Sequence, residues 1–407
     1  SLAYALLAGL PAEMGLYASI LPLIAYSLLG SSRTLSVGPV AVVSLMTASA
    51  VGKVAAEGSV GYGTAAIAMA LLSGMMLLGM GVARFGFLAN FLSHPVVSGF
   101  ITASGIIIAL SQLRHILGIQ ADGDNLLTLL SSLWHHLPQF NTLTLVTGAA
   151  ATAFLFWGRS GLAPVLQRVG VPNRAASMVA KAGPVFVIVA TIAASVLLDY
   201  EAAGVALVGE VPRGLPAFAL PDFGLEIWSE LAVSALLISI IGFVESVSVG
   251  KTLAAKRRQR IEPNQELVAL GAANIASAVS GGFPVTGGFS RSVVNFEAGA
   301  RTQAASIFTA IGIALAATML TPVLYYLPKA TLAATIIVAV TSLIDLPILR
   351  RAWHYSRSDF TAVSITIGAT LLLGVELGVL SGILASVGLH LHKSTQPHMA
   401  IVGGVPG

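Results

Sequence analysis

Long apolar stretches recur along the whole chain, separated by short breaks of charge, Gly-Pro pairs and aromatic residues. A helix that crosses the hydrocarbon of a bilayer needs about 20 residues, and on that measure the breaks divide the sequence into fourteen segments, several of them short. The first, Ser1 to Gly9, reads as the tail of a span begun upstream. Leu16 to Leu29, Pro39 to Val51, Tyr62 to Val82, Val96 to Leu113, Leu143 to Trp157 and Pro184 to Leu198 follow. A polar connection from Asp199 to Glu230 divides the chain. Beyond it lie Leu231 to Gly250, Leu267 to Val279, Gly288 to Ala298, Ile307 to Tyr325, Leu332 to Ile344, Phe360 to Leu373 and Leu377 to His392. The pattern predicts an all-α polytopic membrane protein with seven segments on each side of the connection.

Composition closes off the alternatives. The 407 residues are 56% hydrophobic and 9% charged, with a mean hydropathy of +0.89, whereas soluble domains are roughly 25% charged. So few charges cannot hydrate the surface of a soluble chain this long, which excludes soluble, disordered and nucleic-acid-binding classes. The absence of cysteine excludes disulfides and thiolate sites. No cleavable signal peptide is recognisable, and the end from Pro397 to Gly407 reads as a linker.

The net charge of +4 is distributed by side. The connection carries six acids (Asp199, Glu201, Glu210, Asp222, Glu226, Glu230) and one base, Arg213. The basic clusters lie elsewhere: Arg159, Arg168, Arg174 and Lys181; Lys251, Lys256, Arg257, Arg258 and Arg260; Arg350, Arg351 and Arg357. With fourteen crossings and a cytoplasmic start, all three clusters face the cytoplasm, as positive loops do. Trp134, Trp157, Trp228, Trp353 and the pair Tyr325-Tyr326 fall near segment ends, where interfacial aromatics belong.

Two segments are too short to cross as helix alone. Ser36-Val37-Gly38-Pro39 precedes one, and Phe283-Pro284-Val285-Thr286-Gly287-Gly288 precedes the other. Each introduces the third segment of its half, and extended backbone at membrane depth is tolerated only inside protein or beside a watery cavity. Interrupted segments in corresponding positions of two halves point to a transporter site between inverted repeats. Because seven is odd, the second half must run with opposite topology.

A helix that starts inside the membrane aims unpaired N–H groups and a partial positive charge at whatever lies ahead. Two such starts facing one another suit an anion. Pro39 fits the first helical position of one, and Gly287 with Gly288 lets backbone approach a ligand at the other. Arg291 falls in the first turn of the second short helix, where a cation opposes the dipole and a bound anion would reverse that sign. Thr286, Ser290 and Ser292 offer hydroxyls nearby. Glu245, deep in its span, is expensive there and by default functional. It is a candidate proton-coupling group, with an ion pair to Arg291 as the structural alternative. Glu13, Asp345 and Glu376 sit at segment ends and read as hydrated. The sequence contains no phosphate-binding loop for ATP-driven pumping, no metal-ligand spacing among its eight histidines and no nucleophile–base set of an enzyme.

Several stretches resemble the sulfate permease (SulP) family of anion transporters. Gly9-Leu10-Pro11-Ala12-Glu13-Met14-Gly15-Leu16-Tyr17 and Leu29-Gly30-Ser31-Ser32-Arg33-Thr34-Leu35-Ser36-Val37-Gly38-Pro39 are similar to two of its blocks. Glu262-Pro263-Asn264-Gln265-Glu266-Leu267, Gly271-Ala272-Ala273-Asn274 and Ser290-Arg291-Ser292-Val293-Val294-Asn295 match others. The resemblance implies a seven-plus-seven inverted repeat, with a core domain over 1–82 and 229–325 and a gate domain over 96–198 and 330–393 that move relative to one another as an elevator. It places substrate between segments three and ten, at Val37, Gly38, Pro39, Val40, Gly287, Gly288, Phe289, Ser290 and Arg291, with Tyr4 from the first segment. It implies a homodimer in the bacterial plasma membrane, no cofactor, and a STAS domain following Gly407. Glu245 stands where sodium-coupled relatives have an aspartate. This tilts the expected function toward proton-coupled symport of a dicarboxylate such as fumarate or succinate, with sulfate or bicarbonate transport, or an anion channel, as alternatives.

Overall fold

The computed structural model of the chain describes residues 1–56, 60–90, 94–212, 214–215 and 225–394. Arg213, Asp222 and the tail from Pro397 to Gly407, which carried expectations above, lie outside the described residues. In chain order the principal elements are α1 (Leu2–Leu7), α2 (Ala12–Tyr17), α3 (Leu21–Leu29), β1 (Val37–Gly38), α4 (Ala41–Val51), α5 (Val60–Val82), α6 (His94–Ser111), α7 (Thr142–Trp157) and α8 (Gly183–Leu197). After the connection come α9 (Leu225–Lys256), α10 (Pro263–Val279), β2 (Thr286–Gly287), α11 (Phe289–Glu297), α12 (Ala304–Met319), α13 (Lys329–Thr341), α14 (Arg357–Leu373) and α15 (Val375–Ser394). Each apolar segment thus has its helix, and β1 and β2 fall where the sequence breaks two of them.

Among the described residues, four helical stretches are long and apolar enough to span a bilayer by themselves: Ala12–Leu29, Gly61–Val82, Pro95–Leu117 and Ile227–Lys256. A fifth is the pair Ala175–Lys181 and Gly183–Leu197, bent by 54°. Helices α4 and α11, of 11 and 9 residues, are much shorter. Helix α9 runs beyond the expected Leu231 to Gly250 at both ends, because Ser229, Glu230 and Lys251 interrupt hydropathy without interrupting helical hydrogen bonding. Among the described residues, the connecting helices Leu126–His136, Asn173–Lys181 and Pro347–Tyr355 escaped the apolar pattern altogether. They are short and amphipathic, so a criterion of continuous apolar length passes over them.

The largest core cluster joins α3, α4, α5, α9 and α10 through Tyr26, Met46, Met69, Ile238, Phe243 and Leu270. Helix α10 lies along α5 with the backbones almost touching. A Cβ at Gly74 would stand 2.8 Å from the Ile275 nitrogen, and one at Gly271 2.7 Å from the Leu78 nitrogen. Small residues let membrane helices gain dispersion contact where no hydrophobic force drives them together. A separate cluster joins α7, α8 and α13 through Ala151, Val187, Ala333 and Val338.

Two of the span-end acids are not simply hydrated as expected. Glu376, at the start of α15, is ion-paired with Lys53 and accepts a hydrogen bond from Ser234 Oγ at 2.9 Å, with its side chain only 12% exposed. Asp345 is ion-paired with Arg351.

The opposite-topology expectation has a direct check. Single cysteines placed at Ala202, in the acidic connection, and at Gln259, in the basic turn after α9, are expected to react with impermeant thiol reagents from opposite sides of sealed vesicles. The native chain has no cysteine to confuse the readout, and labelling of both from one side would overturn the odd number of crossings between them.

Candidate functional site

The two broken segments meet. Strand β1 pairs antiparallel with β2, Val37 opposite Gly287 and Gly38 opposite Thr286, and Gly288 N donates to Ser36 O at 3.0 Å. Antiparallel pairing points the two chains in opposite directions, so α4 and α11 run apart from a shared centre and present their N-termini to it. Helix α4 begins after Val40, its N-cap residue, and α11 begins after Gly288. Pro39 is therefore not the first helical residue as expected. It lies two positions earlier, in extended backbone, where its missing N–H leaves no ladder partner unmet.

Side chains hold this centre. Ser246 Oγ on α9 accepts from Gly287 N at 2.8 Å and bonds Thr286 Oγ1 at 2.7 Å. Thr286 Oγ1 donates to Gly242 O at 2.6 Å. Asn274 on α10 clamps Val285 through both its amide atoms, at 2.9 Å each. On the other strand, Ser292 Oγ accepts from Ser36 N at 2.9 Å. The loop leading into β1 is gathered by Glu266, a fully buried carboxylate that accepts from Tyr26 Oη at 2.7 Å, Ser31 N at 2.9 Å, Ser31 Oγ at 2.6 Å and Ser32 N at 3.1 Å. Gln303 Nε2 holds the same loop through Ser32 O and Leu35 O. Thr286 and Ser292, expected to offer hydroxyls to a ligand, are thus committed to the backbone. Ser290, exposed in the first turn of α11 beside exposed Phe289, remains available.

Arg291 sits in that first turn as expected, and its guanidinium returns over the strand pair to lie against Gly38. A Cβ at Gly38 would overlap Arg291 Nη1. Its Nη2 donates to Ser1 Oγ at 3.1 Å, and Ser19 Oγ donates to the same oxygen at 2.8 Å. No carboxylate lies within ion-pair distance of Arg291 among the described residues. Glu245, buried on α9 one residue before Ser246, keeps Oε2 without a hydrogen-bond partner, so the alternative of a Glu245–Arg291 ion pair is not what the fold contains. Tyr4, half-buried on α1, packs against the cluster of Leu7, Ala41 and Ile336, beside the first residue of α4. Val37, Pro39, Val40, Gly287 and Gly288 form the buried floor.

Chemically, the centre offers the N–H groups of two helix starts and one guanidinium, with the buried Glu245, whose Oε2 has no hydrogen-bond partner, one residue from Ser246. Helix starts and arginine bind anions. Among the described residues there is no group of three or more metal-ligating side chains.

Known proteins carry the same arrangement of sequence. The model of the sulfate permease family matches residues 1–366. The chain belongs to the sulfate permease family. "Sulfate transporter 4.1, chloroplastic" of Arabidopsis thaliana is 36% identical over the whole chain, which spans 58% of that relative. A probable sulfate transporter of Mycobacterium tuberculosis is 34% identical, again over the whole chain and 70% of the relative. Among solved structures, that of SLC26A9 superposes with a TM-score of 0.87 at 25% identity, over 96% of this chain and 62% of its own. The fold of this sulfate permease family member is accordingly the all-α, fourteen-span inverted repeat of a multi-pass membrane protein, and its family consists of permeases rather than enzymes.

The residues that the sequence analysis missed are those that hold the strand pair and Arg291 in place: Ser19, Ser246, Glu266, Asn274 and Gln303. Glu266 and Asn274 stood inside blocks quoted for the resemblance, yet nothing local distinguished a buried clamp from a helix-surface residue. Ser19 carried no signal at all.

Proposed function

We propose that the chain is the membrane-embedded part of a secondary active anion transporter, with sulfate as its substrate and Arg291 as its anion-binding cation. The observation that carries this reading is the Arg291 guanidinium lying over Gly38 between two opposed helix starts, with no acidic partner among the described residues. The names of the plant and mycobacterial relatives support sulfate, and they lend nothing to the dicarboxylate expected from the sequence. Glu245 supplies the coupled proton in this reading, since a carboxyl buried without a partner changes the local charge wholly by gaining or losing one. The site moves between the two faces as residues 1–82 and 229–325 shift against 96–198 and 330–393, in a bacterial plasma membrane.

The test is uptake of radiolabelled sulfate into proteoliposomes with and without an inward proton gradient. Saturable uptake accelerated by the gradient supports the reading. Uptake indifferent to the gradient removes the proton, ohmic sulfate current makes the protein a channel, and absence of any flux removes transport.

Gly38→Ala is a sharper probe than it looks. The backbone of Gly38 does not have the positive φ that would strain alanine, and the atom in the way is the far end of a flexible arginine. The added methyl is therefore expected to displace the guanidinium at little cost to folding. Sulfate affinity should fall roughly tenfold or more, the loss of one charge-assisted contact of about 1.5–3 kcal/mol, while thermal stability changes little. Unaltered affinity would remove Gly38 and Arg291 together from the site.

A further inference from the structure

The short helix Pro347–Tyr355, between the spans α13 and α14, has two unlike faces. Ile348 and Ala352 are buried against Val96, Ala362 and Val363. The opposite face exposes Leu346 at 63% and Trp353 at 53%, together with Arg350 and Arg351. Exposed Arg357, at the start of α14, stands 6.0 Å from the Trp353 ring centroid, in cation–π range, and Trp353 meets Phe360 edge-on at 4.8 Å. The indole is thereby held in place beside the arginines. Arg351 is occupied by Asp345. Arg350 and Arg357 have no carboxylate partner among the described residues.

This combination defines its partner. Apolar side chains and an indole exposed at the end of two spans sit at the level of the headgroups, where aromatic residues anchor. An amphipathic helix in that place lies in the plane of the interface. Two unpaired guanidinium groups beside it match phosphate oxygens in charge and in fork geometry, and a zwitterionic headgroup would oppose them with its own cation. We propose that the Arg350, Trp353 and Arg357 face is a binding site for anionic phospholipid. It rests on the membrane-spanning character of α13 and α14 and is independent of the transport reading.

The test uses the full chain purified in detergent and exposed to equal amounts of phosphatidylglycerol and phosphatidylcholine, with the retained lipid counted by native mass spectrometry. The parent is expected to retain phosphatidylglycerol preferentially. The double variant R350Q/R357Q is expected to lose that preference by about 30-fold, roughly fivefold for each charge near an anionic surface. A second measurement does not depend on that variant folding. In vesicles containing brominated lipid, the fluorescence difference between the parent and Trp353→Phe isolates Trp353. Stronger quenching by brominated phosphatidylglycerol than by brominated phosphatidylcholine at equal content supports the site. Equal quenching by the two, or a parent that retains both lipids alike, overturns it, as does a folded double variant whose preference is undiminished.

Discussion

Arg291→Ala is expected to weaken sulfate binding by roughly 10- to 150-fold, the loss of a charge-assisted contact of about 1.5–3 kcal/mol. The fold should survive the change. The guanidinium makes one hydrogen bond to protein, to Ser1 Oγ, and no ion pair among the described residues, so its removal leaves no buried carboxylate exposed to an uncompensated charge. Helix α11 should even gain slightly, since a cation in a first turn opposes the helix dipole. The measurement is calorimetric titration of sulfate into purified parent and variant, with thermal unfolding followed in parallel. Equal affinities would place the anion elsewhere. A large loss of stability would instead make Arg291 a structural residue and require another explanation of its place over Gly38.

Glu245→Gln is expected to abolish the acceleration of uptake by an inward proton gradient while leaving sulfate binding and exchange intact. The substitution keeps the shape of the side chain but cannot release a proton. Protonation of Glu245 removes a negative charge near the incoming anion, which favours their crossing together, and glutamine mimics that neutral form. The anion affinity of the variant should therefore vary less with pH than that of the parent. Because Oε2 has no partner to lose, the change should cost little in stability. Uptake in Glu245→Gln that remains fully proton-driven would refute the assignment, and loss of binding as well would make Glu245 part of the site rather than of its coupling.

Both substitutions rest on residues that were legible in the sequence for a simple reason. A charge inside a membrane span is so costly that its presence alone announces a role. The same economy of charge made the spans visible, because with 9% charged residues every break stands out. The two interrupted segments were legible through Pro39, Pro284 and their glycines. Residue patterns quoted from the chain were enough to suggest the family whose model now matches it.

What the sequence by itself determined is thus local. It specified which segments enter the membrane, where their helices are interrupted, and which charges are stranded inside. The tertiary structure alone decided how these pieces face one another. Val37 pairs with Gly287 across an intervening 249 residues, and no periodicity within either segment encodes that register. The start of α4 at Ala41 rather than Pro39 follows from the same pairing, which keeps residues 37–38 extended. Thr286 and Ser292 looked like ligand groups because a hydroxyl near a helix start is ambiguous until its partner is known. Here the partners are backbone atoms from distant parts of the chain. Glu266 and Asn274 were silent for the converse reason: a polar residue that will be satisfied by a remote loop reads, in one dimension, like any other on a helix. Amphipathic connectors such as Pro347–Tyr355 also escaped, since only the packing of Ile348 and Ala352 shows which of their faces is covered. Hydrophobic transfer is a property of each segment and can be summed along the chain, whereas hydrogen-bond satisfaction at membrane depth belongs to pairs of segments and exists only once they meet.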